Sequence, residues 1–339
     1  LEPDLKAAGG ELIRLPVNSK NPVTVALNIG RLQRTARARG VRLIHARSRA
    51  PGWSAYFAAR GLKLPFVTTY HGVYNARSPL KRLYNSVMAR GDIVIANSEY
   101  TREHVLEQYG LAPERVVAIP RGVDFDVFDR GHFTAEAIAA QRAEWIAPDD
   151  KRLLMILPAR LTRWKGQLLL IQALARVERR RPNKVKAILA GDAQGRDAYV
   201  EELQRAIAMN GLQHSVSIVG HLSQMALALA ASDAAVFPSL EPEAFGRGAV
   251  EAQAMEIPAI AAGHGGLAET IVDGETGILF PPGHPDAFAA AIDKLLDMSS
   301  EARSAMGLRG RDRVRKSYGK AALQASTLRV YDRLLGVGA

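Results

Sequence analysis

The sequence predicts an α/β protein built from two doubly wound parallel sheets, one in each of two domains. Short apolar runs alternate with segments of helical spacing along most of the chain. The alternation restarts after Pro148-Asp149-Asp150, which have the composition of a linker. A length of 339 residues suits two domains of ordinary size.

In the first half, apolar runs and helical spacing alternate, and punctuating residues mark where the elements stop. Gly40 and Gly61 end two of the helices, Ser98 can cap another, and Pro120 closes the last strand. The predicted strands cover residues 11–15, 42–46, 65–69, 92–96 and 116–119. The predicted helices cover residues 25–39, 53–60, 80–88, 99–109 and 134–145.

In the second half the same alternation predicts six strands, of which the last lies at an edge. The strands cover residues 153–158, 185–190, 216–219, 234–237, 259–262 and 277–280. The helices cover residues 166–179, 198–210, 222–231, 247–256, 268–272, 285–296, 301–316 and 320–335. In the final helix, the spacing of Ala325, Leu328, Tyr331 and Leu335 predicts one buried face.

Composition narrows the classes of protein. The 47% of hydrophobic residues can form real cores, and no run of 18 apolar residues predicts a spanning helix. There is no cysteine, which excludes disulfides and thiolate metal sites and fits a cytoplasmic location. Residues 1–91 hold 16 Lys and Arg against three acids, a net +13, whereas the remainder holds 29 against 31, a net −2.

The basic first part indicates an anionic partner, for which an anionic membrane surface, an acidic substrate and nucleic acid are the candidates. Nucleic acid is the weakest of these, because no recognised binding motif is present. A generic basic surface is almost equally compatible with the charge. If a membrane is the partner, the protein would lie peripherally on the inner face of the cytoplasmic membrane.

Two carboxylates eight positions apart flank the most informative stretch of the second half. Glu243 falls in a loop after the strand that Pro238 stops, and Glu251 falls about one turn into the next helix. In a parallel sheet, ligands bind at this end of the strands, and a helix N-terminus favours phosphate. Carboxylates accept hydrogen bonds from sugar hydroxyls, so the stretch suits a nucleotide sugar; two solvated surface acids would look the same.

Arg160 and Lys165 lie in the loop after the first strand of the second domain. That loop leaves the same edge of the sheet as the acidic stretch, so both bases can reach the same ligand. Two cations facing a diphosphate stabilise its charge as it departs. An ordinary surface arginine and lysine are equally compatible with this loop taken alone.

Taken together, these residues resemble the retaining glycosyltransferases of family 4, which have the GT-B fold of two Rossmann-like domains facing a cleft. The resemblance covers nearly all of residues 150–335. It runs through Arg160, Lys165-Gly166, Pro238-Ser239, Glu243-Ala244-Phe245-Gly246, Glu251-Ala252, Gly265-Gly266-Leu267-Ala268-Glu269 and 273–280. It implies an acceptor-side domain over 1–148, a nucleotide-sugar-binding domain over 149–318 and a helix over 319–339 that crosses back.

The resemblance also implies roles residue by residue. Arg160 and Lys165 would bind the donor diphosphate, and Glu243 would lie beside the transferred sugar. Backbone N–H groups of Phe245, Gly246 and Arg247 would hold sugar hydroxyls and phosphate. Glu251 would bind the ribose hydroxyls, and the strand end at Gly220 would help to enclose the base. It implies no metal and no cofactor, since the UDP- or GDP-linked sugar is a substrate.

The first half resembles the family through Thr68-Thr69-Tyr70-His71-Gly72 and through Pro120-Arg121-Gly122-Val123-Asp124. The resemblance places His71 at the point of sugar transfer. His45, Arg47 and Arg49 follow the preceding strand and could line the acceptor side, although solvated loop residues are nearly as compatible. Arg121 stands where the family most often has asparagine, which adds a positive charge or marks a subfamily.

The family's first domain normally opens with a strand and a glycine-rich loop, and neither precedes Leu1. The first domain is therefore expected to be incomplete at its N-terminus, and the 339 residues to be inactive or poorly active. The sequence is therefore interpreted as that of a metal-independent hexosyltransferase. It would act in cell-envelope polysaccharide synthesis, on a glycan or lipid-linked acceptor. The alternatives are a non-catalytic or truncated nucleotide-sugar-binding protein and another GT-B enzyme, such as an epimerase or a phosphorylase.

Overall fold

The structure, a computed structural model, describes residues 2–19, 21–74 and 78–337. It divides into two compact units. Unit 1 comprises Leu1–Asn97, Thr101–Ile119 and Thr327–Ala339, and unit 2 comprises Ser98–Tyr100 and Pro120–Ser326. The predicted domain boundaries after residues 148 and 318 stay predictions.

Unit 1 contains a four-stranded parallel sheet in which the strands lie in chain order. The strands are β1 (Ile44–Ala46), β2 (Phe66–Tyr70), β3 (Ile93–Ala96) and β4 (Val116–Ala118). Every residue of β2 and β3 is buried, which agrees with their continuous apolar or small-residue sequence. The register pairs His45 with Val67, and Tyr70 with Ala96.

The helices of unit 1 connect these strands, as the sequence predicts. They are α1 (Glu2–Ala7), α2 (Pro22–Ala38), α3 (Arg49–Leu62), α4 (Pro79–Ser86) and α5 (Glu99–Tyr109), whose first two residues belong to unit 2. Short 3-10 turns cover Val87–Ala89 and Pro113–Arg115. Asn21 and Ser78 accept hydrogen bonds from first-turn amides, so side-chain capping fixes where α2 and α4 begin.

The strand predicted over residues 11–15 is wrong. These residues form no regular element, and the side chains of Leu12 and Ile13 are each more than two-fifths exposed. A strand needs a neighbour to pair with its backbone, and in the described part of the chain this segment pairs with none. The helix α1 that precedes it was not predicted.

Unit 2 is built on a six-stranded parallel sheet with the order β10-β9-β8-β5-β6-β7. The strands are β5 (Leu153–Pro158), β6 (Val185–Ala190), β7 (Val216–Gly220), β8 (Ala234–Phe237), β9 (Ala259–Ala262) and β10 (Gly277–Phe280). The chain moves outward from β5 to β7 and then returns to lay β8 on the other side of β5. The strand order therefore reverses between β5 and β8, where a crevice opens at the carboxyl ends of such sheets.

Helices cover both faces of this sheet, so it is doubly wound. They are α6 (Ala135–Ala143), α7 (Gln167–Arg180), α8 (Asp197–Met209), α9 (Met225–Ala230), α10 (Arg247–Ala254), α11 (Gly265–Thr270), α12 (Pro285–Asp297) and α13 (Ser300–Ser317). Further 3-10 turns cover Arg130–His132 and Arg163–Lys165. In β5, Met155 joins one apolar cluster with residues of α7 and α12, whereas Leu154 and Ile156 join another with residues of α9 and α10. The predicted α/β class is confirmed.

The last helix, α14 (Lys320–Leu335), has the predicted bounds but not the predicted buried face. Ala325 and Leu328 are exposed, and the buried residue of the helix is Val330, which is 6% exposed. The helix begins in unit 2 and ends in unit 1. Because its surroundings change along its length, a single stripe drawn through the whole helix does not describe what it buries.

In unit 1, His45 joins two strands to α14. Its Nδ1 is hydrogen-bonded to the Tyr331 hydroxyl at 2.6 Å, and its Nε2 to Thr69 Oγ1 at 2.7 Å. Burial, followed by the charges of Arg47 and His71, lowers the pKa of His45 from 6.5 to about 4. The folded protein therefore holds this ring neutral at physiological pH, with both nitrogens engaged.

We predict that replacing His45 removes part of the acid sensitivity of folding. Below about pH 6.5 the unfolded chain protonates this histidine, whereas the folded chain does so only near pH 4, so stability falls as the pH falls through this window. The free energy of unfolding lost through the protonation of this histidine reaches about 2–3 kcal/mol by pH 4. In urea unfolding between pH 7.5 and pH 4.5, His45→Gln should lose less stability on acidification than wild type. The control His132→Gln, at an exposed position, should lose as much stability on acidification as wild type does. An equal loss of stability in His45→Gln and wild type would contradict the assignment.

Candidate functional site

The candidate site lies at the carboxyl edge of the unit 2 sheet, where the strand order reverses. The loop of residues 159–166 leaves β5, and the loop of residues 238–246 leaves its neighbour β8. The two loops are in contact, since the amide of Leu240 donates to the carbonyl of Trp164 at 2.7 Å. Two segments far apart in sequence are thereby held together at one edge of the sheet.

An ion pair connects the two loops. Lys165 Nζ lies 2.7 Å from Glu243 Oε1, with side chains that are only 18% and 13% exposed. The same ammonium group lies 4.2 Å from the centre of the Trp164 ring. A pair this far from solvent is costly to break, because removing one charge leaves the other buried and uncompensated. The base and the acid that the sequence analysis assigned to one ligand are therefore neighbours.

Two polar residues to which the sequence assigned no role position Glu243. The hydroxyl of Ser239 donates to Glu243 Oε1 at 2.5 Å. His264 Nε2 donates in turn to the Ser239 carbonyl at 2.9 Å, which fixes the proton on Nε2. Ser239 lies in one of the family motifs, and His264 adjoins Gly265-Gly266, so proximity to those motifs was the signal available in the sequence.

The two oxygens of the Glu243 carboxylate are used differently. Both bonds, from Lys165 and from Ser239, go to Oε1. Within the described part of the chain, Oε2 has no hydrogen-bond partner. One oxygen therefore anchors the carboxylate, and the second retains its capacity to accept a hydrogen bond from a ligand hydroxyl.

Arg160 lies at the exposed start of the loop that follows β5. Its guanidinium makes a long contact of 3.5 Å with Gln194 in the loop after β6, and its carbonyl accepts from Gln167 at 3.0 Å. The backbone at Arg160 is thus fixed by a fully buried glutamine, while the charged end stays at the surface. The predicted diphosphate contact of Arg160 stays a prediction.

The loop after β8 leads into α10, whose first turn has no side-chain cap. Gly246 is its N-cap residue, with a φ of 82° that favours glycine. Phe245 is buried against Tyr318, and the amide of Gly266 donates to the Glu243 carbonyl at 2.7 Å. The first amides of a helix lack a partner one turn back. The amide of Ala249 donates to the Gly246 carbonyl at 3.0 Å, and those of Arg247 and Gly248 can bind an anion.

Glu251 lies one turn into α10 and is largely buried. Arg247 Nε lies 3.1 Å from Glu251 Oε1, on a side chain that is mostly exposed. Burial raises the pKa of Glu251, and the charge of Arg247 opposes this shift only in part. A desolvated carboxylate gains from additional hydrogen-bond donors, which is what the two hydroxyls of a ribose supply.

The remaining predicted site residues occupy the following places. Gly220 ends the edge strand β7 with a φ of 73°. Arg121 is half-buried directly after Pro120 in unit 2. In unit 1, Arg47 is exposed, Arg49 donates to Asn85 at 2.9 Å and lies over the Tyr74 ring, and the His71 carbonyl accepts from Asn97. The functional roles given to these residues and to His45 stay predictions.

The described residues hold neither a metal-binding cluster nor a membrane-spanning helix. Residues 2–19, 21–74 and 78–337 contain no group of three or more His, Asp or Glu side chains arranged to hold a metal ion. Across the same ranges, no helix combines the length and the apolar character needed to cross a bilayer.

Solved structures similar to this chain identify the class of protein to which it belongs. The structure is similar to a glycosyltransferase from Rickettsia africae ESF-5, with 31% identity, a TM-score of 0.88, and coverage of 98% of this chain and 87% of that one. It is also similar in fold to Anabaena Alr3699/HepE in complex with UDP-glucose, with 24% identity, a TM-score of 0.80, and coverage of 98% and 88%. The fold is GT-B, as the sequence predicts.

The family follows from the sequence. Residues 139–313 match the family described as glycosyl transferases group 1, and residues 3–127 match glycosyltransferase family 4. A D-inositol 3-phosphate glycosyltransferase from Kineococcus radiotolerans is 30% identical over 317 residues, which cover 86% of this chain and 71% of that protein. The chain belongs to the glycosyl transferases group 1 family.

We predict that Gly166 is required for the contact between the two loops. A Cβ at this position would lie 1.9 Å from the Pro238 carbonyl, at a φ of 76°. Gly166→Ala should cost the left-handed strain of about 1–2 kcal/mol and a further ~1–3 kcal/mol for the clash, measured by urea unfolding. The matched control is Gly211→Ala, with a φ of 68° and nothing within 4 Å of the added Cβ, which should show the strain alone. Equal losses in the two variants would refute the loop contact.

Proposed function

We propose that the protein transfers a hexose from a nucleoside-diphosphate donor to a hydroxyl acceptor, with retention of the anomeric configuration. The observation that carries the proposal is the Lys165–Glu243 pair at the reversal of strand order in unit 2. A cation for the diphosphate and a carboxylate for the sugar hydroxyls stand side by side there. Membership of the glycosyl transferases group 1 family supports the same reaction class.

The donor would lie along the carboxyl edge of unit 2. The ammonium group of Lys165 has three N–H donors, so it can hold Glu243 and a phosphate oxygen at once. Arg160 and the first-turn amides of α10 would supply further positive potential for the diphosphate. The UDP-glucose complex of Anabaena Alr3699/HepE, a protein of similar fold, supports a UDP-linked hexose as the first donor to test. A GDP-linked hexose is the second.

The two carboxylates would hold different parts of the donor. Oε2 of Glu243 would accept a hydrogen bond from a hydroxyl of the transferred sugar, because Oε1 is already engaged. Glu251 would accept from the ribose hydroxyls, which would replace part of the hydration lost on burial. Ser239 would act as a positioning residue through Glu243.

The reaction would break the bond between the anomeric carbon and the β-phosphate oxygen. The nucleoside diphosphate would leave with the bonding electron pair, and Lys165 would stabilise its growing charge. The acceptor oxygen would form the new bond on the face that the phosphate leaves, and its proton would pass to the departing phosphate. The sugar would then be joined to the acceptor, and the diphosphate released.

The residues of the unit 2 site do not identify the acceptor. The curated relatives are named D-inositol 3-phosphate glycosyltransferases, which makes a phosphorylated polyol one acceptor to test. The basic first part of the chain favours an anionic acceptor, and a lipid-linked glycan is the other candidate. We propose His71, His45, Arg47, Arg49 and Arg121 as acceptor-side or transfer-point residues.

The test is transfer from UDP- and GDP-linked hexoses to D-inositol 3-phosphate and to a lipid-linked glycan. Released nucleoside diphosphate is quantified, and the product anomer is assigned by NMR. We expect retention, no loss in EDTA, a fall of about 10²-fold or more in kcat for Glu243→Gln, and a raised KM for Glu251→Gln. The exposed control Glu144→Gln should match wild type. An inverted product or loss of activity in EDTA would contradict the proposal.

Donor binding is measured on the same samples by calorimetry, so that the donor site is tested separately from turnover. Binding of a nucleotide sugar that weakens in Glu251→Gln supports the donor site independently of turnover. Binding with no transfer to any acceptor would favour the non-catalytic binding protein. No binding of any nucleotide sugar would overturn the proposed function.

A further inference from the structure

Two helices of unit 1 present an open apolar groove, which we call the α3–α4 surface. It encloses about 550 Å³ between α3, α4 and the residue that follows the 3-10 turn. Its lining residues are Trp53, Tyr56, Phe57, Leu80, Leu83, Tyr84 and Arg90. Six of these seven side chains are aromatic or aliphatic, so the groove differs from an ordinary polar surface.

The apolar groups of the α3–α4 surface are open to solvent. Leu80 is 80% exposed, Leu83 is 55% exposed and Phe57 is 47% exposed. Single exposed leucines are common in folded proteins, but three large apolar side chains from two helices lining one groove form a patch. Burying a leucine fully is worth about 1.5–3 kcal/mol, so a surface that covers both leucines gains appreciable free energy.

The aromatic residues of the surface are held in place from beneath. Trp53 and Phe57 are stacked with centroids 5.9 Å apart, and Trp53 Nε1 donates to the Tyr84 carbonyl at 3.2 Å. Arg90 lies 5.3 Å from the Trp53 ring. Aromatic side chains with one polar end are typical of membrane–water interfaces, where the ring and the polar group meet different surroundings.

Basic residues belong to both helices that form the groove. Lys81 and Arg82 lie between the two leucines in the sequence of α4, and Lys63 follows the end of α3. Two basic side chains are already engaged, since Arg60 pairs with Asp92 at 2.8 Å and Arg82 donates to the Gln108 carbonyl at 3.0 Å. Unit 1 as a whole carries 20 Lys and Arg against eight Asp and Glu, whereas unit 2 carries 25 against 26. The exposed apolar patch therefore lies on the strongly basic unit, and Arg90 is the cation that lines the groove itself.

We propose that the α3–α4 surface docks on an anionic lipid bilayer. The leucines and Phe57 enter the boundary between headgroups and acyl chains, and the flanking cations contact lipid phosphates. Each basic residue near such a surface contributes about 1 kcal/mol, and this charge complementarity favours anionic lipid over a neutral apolar partner. The proposal localises the membrane contact that the sequence left open, and it does not depend on the proposed sugar transfer.

The test is cosedimentation of the full chain with vesicles of phosphatidylcholine alone or of equal parts phosphatidylcholine and phosphatidylglycerol. We expect binding to the anionic vesicles that weakens with added salt. Leu80→Ser/Leu83→Ser should reduce the affinity at least about tenfold, since two apolar anchors are lost. Lys81→Gln/Lys63→Gln should reduce binding to anionic vesicles and flatten the salt dependence.

The control is Met209→Ser/Leu308→Ser, which removes two exposed apolar side chains from unit 2 and should bind as wild type does. Circular dichroism and thermal unfolding establish that each variant is folded before its binding is compared. Sedimentation velocity without lipid tests a second copy of the chain as the occupant. Failure of wild type to bind anionic vesicles, equal binding by the leucine variant, or a dimer that only this variant abolishes with no change in lipid binding would overturn the proposal.

Discussion

The ion pair between Lys165 and Glu243 is the interaction on which the candidate site depends. It joins the loops that follow β5 and β8, the two strands between which the order of the sheet reverses. Two opposite charges with so little exposure are tolerated only with close geometry and additional hydrogen bonds. The Ser239 hydroxyl supplies such a bond, and the stacking of Lys165 on Trp164 limits where the ammonium group can lie.

The backbone around this pair is equally constrained. Gly166 allows the first loop to approach the Pro238 carbonyl, and the amide of Gly266 binds the carbonyl of Glu243. These contacts set the position of the Glu243 backbone before its side chain is considered. The site is thus assembled by loop–loop contacts at one edge of a rigid sheet, which is how α/β proteins commonly hold ligand-binding groups.

Much of the fold could be predicted because its strands are short apolar runs that proline or glycine interrupts. The bounds of β5, β6, β8, β9 and β10 were predicted without error, as was helix α14. The prediction of a strand over residues 11–15 was wrong because local sequence does not show whether a partner strand is present. The prediction of the buried face of α14 was wrong because the helix passes from one unit into the other, and the periodicity of apolar residues within one segment does not reveal this.

The sequence was sufficient to predict which loops form the candidate site. Alternation and strand ends placed Lys165 and Glu243 at one edge, and the family resemblance gave them roles. The positioning groups were not predicted. His264 bonds to the Ser239 carbonyl from a loop 25 residues away, and the bond from Ser239 to Glu243 within one loop depends on a side-chain orientation that the sequence does not specify. The exposed groove between α3 and α4 was missed for a similar reason, since its leucines and aromatic residues come from separate helices.

The most direct test of the account is a double-mutant cycle on UDP-glucose affinity, measured by calorimetry for wild type, Lys165→Met, Glu243→Gln and the double variant. If the pair holds one donor as a unit, the effects of the two substitutions should be non-additive by at least about 1 kcal/mol. Additive effects, within about 0.5 kcal/mol, would show that the two residues act independently and would contradict the account.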